Sequence, residues 1–367
     1  MSLRFLSITV AALVALSAVV WLARRAPAPA SADPRVGQPL LAAELAGRAA
    51  RVRLTDQGRT VDLARAGDGS WAVESYHGLP ADLAKLGRFI ADLEEAKVRR
   101  LATSRADRLE RLEFKDAAIS LADSAGAEIW RVTLGKNADG GGRFVRYDRE
   151  EKGYLAAPTP WLDAESKNWA DAMLLDLKAG DIAAVEIGFP DGTSPVVASR
   201  AAADAAWASP VAPEGRRLRP DRIDAALSGL LTLRFTDTTA ADDPQAAEAR
   251  KHSRVVKLTT FGGTAYTVTF ARKPEEKRPK PAPTDAKPQD AAAAATDQPK
   301  EPETETIPAG PAFVAIASSD PAARINQLMA RRAFQIGEWT YTGVPSSPDE
   351  FWEPAPAEAP ATPPPAS

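Results

Sequence analysis

Apolar and polar residues alternate at the start of the first long patterned stretch. Val52 and Leu54 lie on one side of Asp56-Gln57-Gly58, and Val61 and Leu63 on the other. A period of two across a Gly turn predicts a hairpin with one buried face. Gly67-Asp68-Gly69 predicts a second turn, leading into Trp71-Ala72-Val73. The period then changes. After Pro80, Leu83, Leu86, Phe89, Ile90 and Leu93 recur at helical spacing, so a helix opened by Pro80 should present one apolar face to the strands. Ile119 to Leu134 returns to alternation around Asp123 to Gly126, a further strand pair.

The same order of features appears twice, first from Arg51 to Leu134 and again from Val185 to Phe270. Trp71 corresponds to Trp207 and Pro80 to Pro220. Leu83, Leu86, Ile90 and Leu93 correspond to Ile223, Ala226, Leu230 and Leu233. Phe313-Val314 repeats Phe144-Val145, and the stretch from Ile325 to Tyr341 echoes Trp161 to Leu177, which reads as helix and connector. Internal repetition sets the architecture where it occurs. The expected fold is α+β, with two tandem repeats, each a small antiparallel sheet packed with an amphipathic helix.

The flanks have a different character. Phe5 to Ala23 is apolar and uncharged, ends at Arg24-Arg25, and approaches the roughly 20 residues of a membrane-spanning helix. Residues 1–25 are therefore expected to be an uncleaved transmembrane anchor preceding the repeats, the alternative being a signal peptide cleaved at Ala30-Ser31-Ala32. Residues 26–48 read as a Pro/Ala-rich tether, 49–181 as the first repeat and 182–353 as the second. Within the second repeat, 273–308 combines Pro, Lys, Glu and Ala without an aromatic residue, the composition of a disordered insertion. Residues 354–367 form a Pro/Ala tail.

Composition narrows the chemistry. The 367 residues carry a net charge of −3, which argues against nucleic acid as a partner. There is no Cys, so thiolate metal sites and thiol nucleophiles are excluded. His77 and His252 are the two histidines. Each reads as a loop residue; His77 has Asp82 nearby in sequence but no recognisable nucleophile. Lys136 to Arg143 lacks the order of a phosphate loop and reads as a hairpin turn. Glu94 to Arg100 reads as a solvated helix end. No catalytic, metal or cofactor residues are assigned. Arg216, Arg217, Arg219 and Arg222 form a basic group, the chosen candidate for contact with a partner.

The repeat features together resemble the bacterial envelope family known as domain of unknown function 4340. The resemblance rests on the strand–Trp–Leu79-Pro80-Ala81-Asp82 arrangement before the helix and on Leu109 to Phe114 ahead of Ile119-Ser120-Leu121. Leu134-Gly135, Phe144-Val145-Arg146 and Asn168-Trp169 to Leu177 continue it. The resemblance implies a single-span protein of the cytoplasmic (inner) membrane with its globular part in the periplasm. It also implies association with an ABC-type permease or an auxiliary subunit, as in gliding-motility systems. The expected role is that of an accessory or scaffold protein. The alternatives are an envelope hydrolase and a small-ligand binder using a cleft between repeats.

Overall fold

The computed structural model describes residues 33–148, 150–159, 161–189, 192–279 and 304–355. They divide into two units, with the boundary between Asp171 and Ala172. The sequence places that boundary ten residues later. The difference arises at β10 (Met173–Asp176), which pairs with β14 (Thr232–Arg234) and so belongs to the second unit.

The first unit begins with a short helix, α1 (Ala43–Arg48). Its nine-stranded sheet contains β1 (Arg51–Asp56), β2 (Arg59–Arg65), β3 (Trp71–Val73), β4 (Leu79–Pro80) and β5 (Lys97–Thr103). It is completed by β6 (Ala118–Ala122), β7 (Glu128–Asn137), β8 (Arg143–Tyr147) and β9 (Gly153–Ala157). The order is β4-β3-β2-β1-β6-β7-β8-β9-β5, antiparallel throughout. Val52, Leu54, Val61, Leu63, Ile119, Leu121, Val132, Leu134 and Val145 are buried on alternate positions, as a sheet with one core face requires. Helix α2 (Leu83–Glu95) buries Leu86, Phe89 and Leu93.

The second unit has a seven-stranded sheet built from β11 (Ile182–Ile187), β12 (Val196–Ser199), β15 (Asp237–Ala240), β16 (Ser253–Thr260) and β17 (Ala265–Ala271), with β20 (Phe313–Ser318) and β21 (Arg332–Gln335). Its order is β12-β11-β16-β17-β20-β21-β15. That order reproduces β2-β1-β6-β7-β8-β9-β5 strand for strand. Helix α4 (Pro220–Leu230) lies between β12 and β15 in the chain, as α2 lies between β2 and β5. Ile223, Ala226, Leu227 and Leu230 form its buried face.

A short helix follows the edge strand in each unit: α3 (Ala106–Leu109), continued by a 3-10 turn to Leu112, and α5 (Pro244–Arg250). Small residues receive it. A Cβ on Gly153 would lie 2.6 Å from Leu112 Cδ1. In the second unit Ala246 and Ala249 pack with Ala271, Phe313 and Ala333.

These sheets correct the expected α+β class with small sheets. Strands predominate, because β1 pairs with both β2 and β6 and so fuses the meander and the closing strand pair into one sheet. Lys97 to Arg100, expected as a helix end, belongs to β5, whose Val98 is buried against the pairing with β9. The helix expected in Trp161 to Leu177 is instead a 3-10 turn at Ser166–Trp169 followed by β10. Pro80 ends β4 rather than opening the helix; Asp82 caps α2 by accepting a hydrogen bond from Lys85 N. Leu83 is 60% exposed and lies off the buried face. The tether is also corrected from Asp33 onward: Leu40 and Leu41 are buried, and Gly37 N donates to Val98 O. Among the described residues no helix is long and apolar enough to cross a membrane. The transmembrane helix is therefore no part of the described architecture, and the stretch expected to form it, residues 1–25, lies outside the described residues.

The stretch expected as an insertion has ordered ends. β18 (Glu276–Pro279) and β19 (Thr304–Ile307) pair in register, Glu276 with Ile307 and Pro279 with Thr304. The core strands that flank this ribbon pair directly, Val268 with Ile316. Residues 280–303 lie outside the described residues, as does the tail from 356. Shortening a loop lowers its closure entropy by about 0.6 kcal/mol per halving. Replacing residues 280–303 by a four-residue Gly/Ser turn is therefore predicted to leave the thermal midpoint unchanged or slightly raised. A calorimetric scan that shows a fall of several degrees would contradict this.

Candidate functional site

Two constellations of charged side chains stand out, one in each unit. The first fastens the segment before α1 to the sheet. Asp33, 8% exposed, accepts hydrogen bonds from Arg35 N at 3.1 Å, Lys152 Nζ at 3.0 Å and Tyr154 Oη at 3.2 Å. The same Tyr154 hydroxyl lies 2.9 Å from Glu150 Oε2, so its one proton is shared between two carboxylates. Arg35 Nε donates to Glu150 Oε1 at 2.7 Å, and its guanidinium stacks 3.8 Å above the Tyr147 ring. Tyr147 Oη in turn donates to Leu40 O. These groups line a cavity of about 660 Å³.

Charge is balanced within the cluster. Burial pushes the Asp33 carboxyl up, but the Lys152 hydrogen bond, the Arg35 N–H and the Lys152 charge hold it below its usual value. Burial pushes the Tyr147 hydroxyl up to about 12 and the Tyr154 hydroxyl higher still, where Glu150 adds to the effect. Both tyrosines are therefore neutral donors across physiological pH. Sequence reasoning missed this cluster because its members lie more than a hundred positions apart and only the sheet joins them.

The second constellation contains the four arginines singled out in the sequence. Arg216, Arg217 and Leu218 form β13 (Arg216–Leu218), and Arg219 and Arg222 straddle the start of α4. The structure brings the four together and gives each a carboxylate. Arg216 pairs with Asp349 at 2.8 Å, Arg217 with Glu353 at 2.7 Å, Arg222 with Glu350 at 2.5 Å and Arg219 with Asp221 at 2.9 Å. Three of these acids lie in one segment, a 3-10 turn (Pro348–Phe351) running into β22 (Trp352–Pro354), which pairs antiparallel with β13. Arg219 N donates to Phe351 O at 2.8 Å, and the Phe351 ring is fully buried.

The first unit has the same device. Asp82 N donates to Trp169 O at 2.8 Å, Asp171 N to Pro80 O, and Ala81 bridges Ala170. Lys85, three residues after the cap as Arg222 is three after Arg219, reaches Asp163 at 2.7 Å and Asn168 O at 3.0 Å. It also lies over the buried Trp169 ring, which meets Phe89 edge-on at 5.3 Å. In each unit, then, a segment that has left the last sheet strands returns to the helix start, inserts an aromatic ring and is held by a cation.

The two holds differ in strength. Lys85 and Asp163 are 32% and 19% exposed at the side chain, whereas the pairs of Arg216, Arg217 and Arg222 are 37–77% exposed. Solvent-exposed pairs contribute about 0.2–1 kcal/mol each; a less exposed, charge-assisted bond contributes about 1.5–3 kcal/mol.

The remaining sequence candidates lie on turns and at element ends. His77 has φ 60° at the end of a 3-10 turn and touches the Tyr76 ring. His252 is exposed after α5. Lys136 to Arg143 spans the end of β7, the turn and the first residue of β8; Arg143 Nε donates to Gly135 O. Among the described residues no group of three or more His, Cys, Asp or Glu could hold a metal ion.

Residues 71–252 match a family model described as Domain of unknown function (DUF4340). Neither the curated proteins nor the solved structures give a match.

Lys85→Ala is predicted to cost about 1–2 kcal/mol in urea unfolding, because Asp163 loses its charged donor. Arg222→Ala is predicted to cost under about 1 kcal/mol. Equal losses would contradict the ranking of the two holds. The carboxyls of Asp33 and Asp163 both lie below the usual 3.8, the latter held down, against burial, chiefly by Lys85. Their contribution to stability is thus complete above pH 3.8 and lost as pH falls through the depressed values. Asp33→Asn should therefore lower the urea midpoint at pH 7 and make little difference near pH 2.

Proposed function

From Trp71 to His252 this chain belongs to the DUF4340 family, and on that premise we propose that it is a non-enzymatic accessory protein that holds other polypeptides in an envelope assembly. The observation that carries the reading is the repeated hold on a returning segment, a 3-10 turn running into a backbone pairing, with one buried aromatic ring and a cation at a helix start. Backbone pairing supplies affinity and side-chain pockets supply selectivity in strand-addition recognition. An assembly protein needs those properties, and they require no reacting group. The resemblance that points to ABC-type transport names the class of complex to seek, a permease or its auxiliary subunit on the periplasmic side.

The test is affinity purification of the full chain from solubilised membranes, with identification of the co-purifying subunits. Recovery of an ABC-type permease or auxiliary subunit, unchanged in a His77→Ala, His252→Ala double variant, is the expected outcome. Loss of function in that variant with folding and association intact would instead favour a hydrolase. A periplasmic protease-accessibility assay should cleave the globular part only from the outer side of the cytoplasmic membrane.

A further inference from the structure

The segment Asp349 to Pro354 sits on the second unit as a ligand sits on a receptor. Its backbone adds one strand of three residue pairs to β13, Leu218 with Trp352, Arg217 with Glu353 and Arg216 with Pro354. Its acids meet Arg216, Arg217 and Arg222, and Phe351 fills a closed pocket beside Phe189 at 6.4 Å. Ala355 N donates to Gly215 O and completes the pairing. Beside this segment lies a cavity of about 510 Å³, walled by Val196, Val211 and Pro213 and by Pro348, Asp349 and Trp352 of the segment side. Val211 is 73% exposed.

We propose that β13 and the first turn of α4 form a peptide-docking groove for an acidic, aromatic segment of a partner protein, taken as a 3-10 turn running into a short strand, and that residues 349–354 occupy it in cis until displaced. This inference rests on the accessory role proposed above and gives the partner its chemistry. Three observations favour displacement. The pairing is three residues long, against seven for β16 with β17. The ion pairs are half-exposed and easily rehydrated. Val211, exposed on the cavity wall opposite the segment's own residues, gives a partner segment an apolar surface to cover. The first unit serves as the internal contrast, because Trp169, Lys85 and Asp163 make the equivalent hold tighter.

The probe is a fluorescent synthetic peptide, Ser-Ser-Pro-Asp-Glu-Phe-Trp-Glu-Pro, the sequence of residues 346–354. It is titrated into the full chain and into an Asp349→Lys, Glu353→Lys variant, which loosens the segment and keeps Phe351. Binding at least tenfold tighter to the loosened variant, abolished when Arg222→Glu is added or when Ala replaces Phe in the peptide, is expected. Hydrogen exchange on the unmodified chain should show Trp352 and Leu218 amides opening well before those of β16 and β17. Two results would overturn the proposal. One is no peptide binding by a loosened variant with native circular dichroism. The other is exchange of the segment at the rate of the core strands. If the purification above still recovers a membrane complex while the peptide fails to bind, the accessory role stands and this groove is not its docking surface.

Discussion

Each unit depends on one backbone hydrogen bond at the start of its main helix. The capping residue's N–H, from Asp82 or Arg219, is given to a carbonyl that has come back from the far end of the sheet, at Trp169 or Phe351. A helix start leaves its first N–H groups without internal partners, and a returning segment needs a place to stop. One contact satisfies both needs. It fixes where the aromatic ring enters, and the cation at position 85 or 222 can then reach over it. Without that contact the sheet would keep its strand pairing, but the helix face and the ring would lose their common reference.

The two units use the same contact at different strengths. In the first, the segment from Asp163 to Asp171 is bound by a less exposed Lys–carboxylate pair and by the whole area of an indole. In the second, three arginines meet three acids near the surface, with one phenyl ring as anchor. Numbers of ion pairs and their burial therefore rank the two holds in opposite orders, and exposure to water is what weakens a surface pair. Arg254, 6% exposed, complicates the picture on the second side. It donates to the carbonyls of Tyr341 and Pro345 and stacks on the Tyr341 ring. The approach to the segment is thus held by a buried guanidinium, and the segment itself by pairs at the surface.

Period and order were legible in the sequence where neighbours in the chain are neighbours in space. The β1–β2 hairpin and the β6–β7 and β16–β17 pairs all follow from alternation and turn residues. Sheet size was not legible, because nothing local in Val52 or Leu54 announces that β1 will take both β2 and β6. Charge misled at Lys97 to Arg100, where exposed basic residues on an edge strand resemble a helix end. At Arg216 to Arg222 it told half of the arrangement. The cations were visible in the sequence, but the acids that meet them lie some 130 residues further on. The Asp33 cluster was hidden for the same reason, its carboxylate and its donors joined only by the folded sheet.

The ribbon between β17 and β20 gives the molecule a port. Pro279 and Thr304 are paired across two strands, so the spacing at its tip is set by the ribbon and not by what it carries. Sequence placed between them enters and leaves at neighbouring points, so the strand register behind it is insulated. An epitope or a fluorescent domain grafted there would be carried as cargo rather than built into the sheet, leaving both the Asp33 cluster and the segment from Asp349 to Pro354 in their native settings.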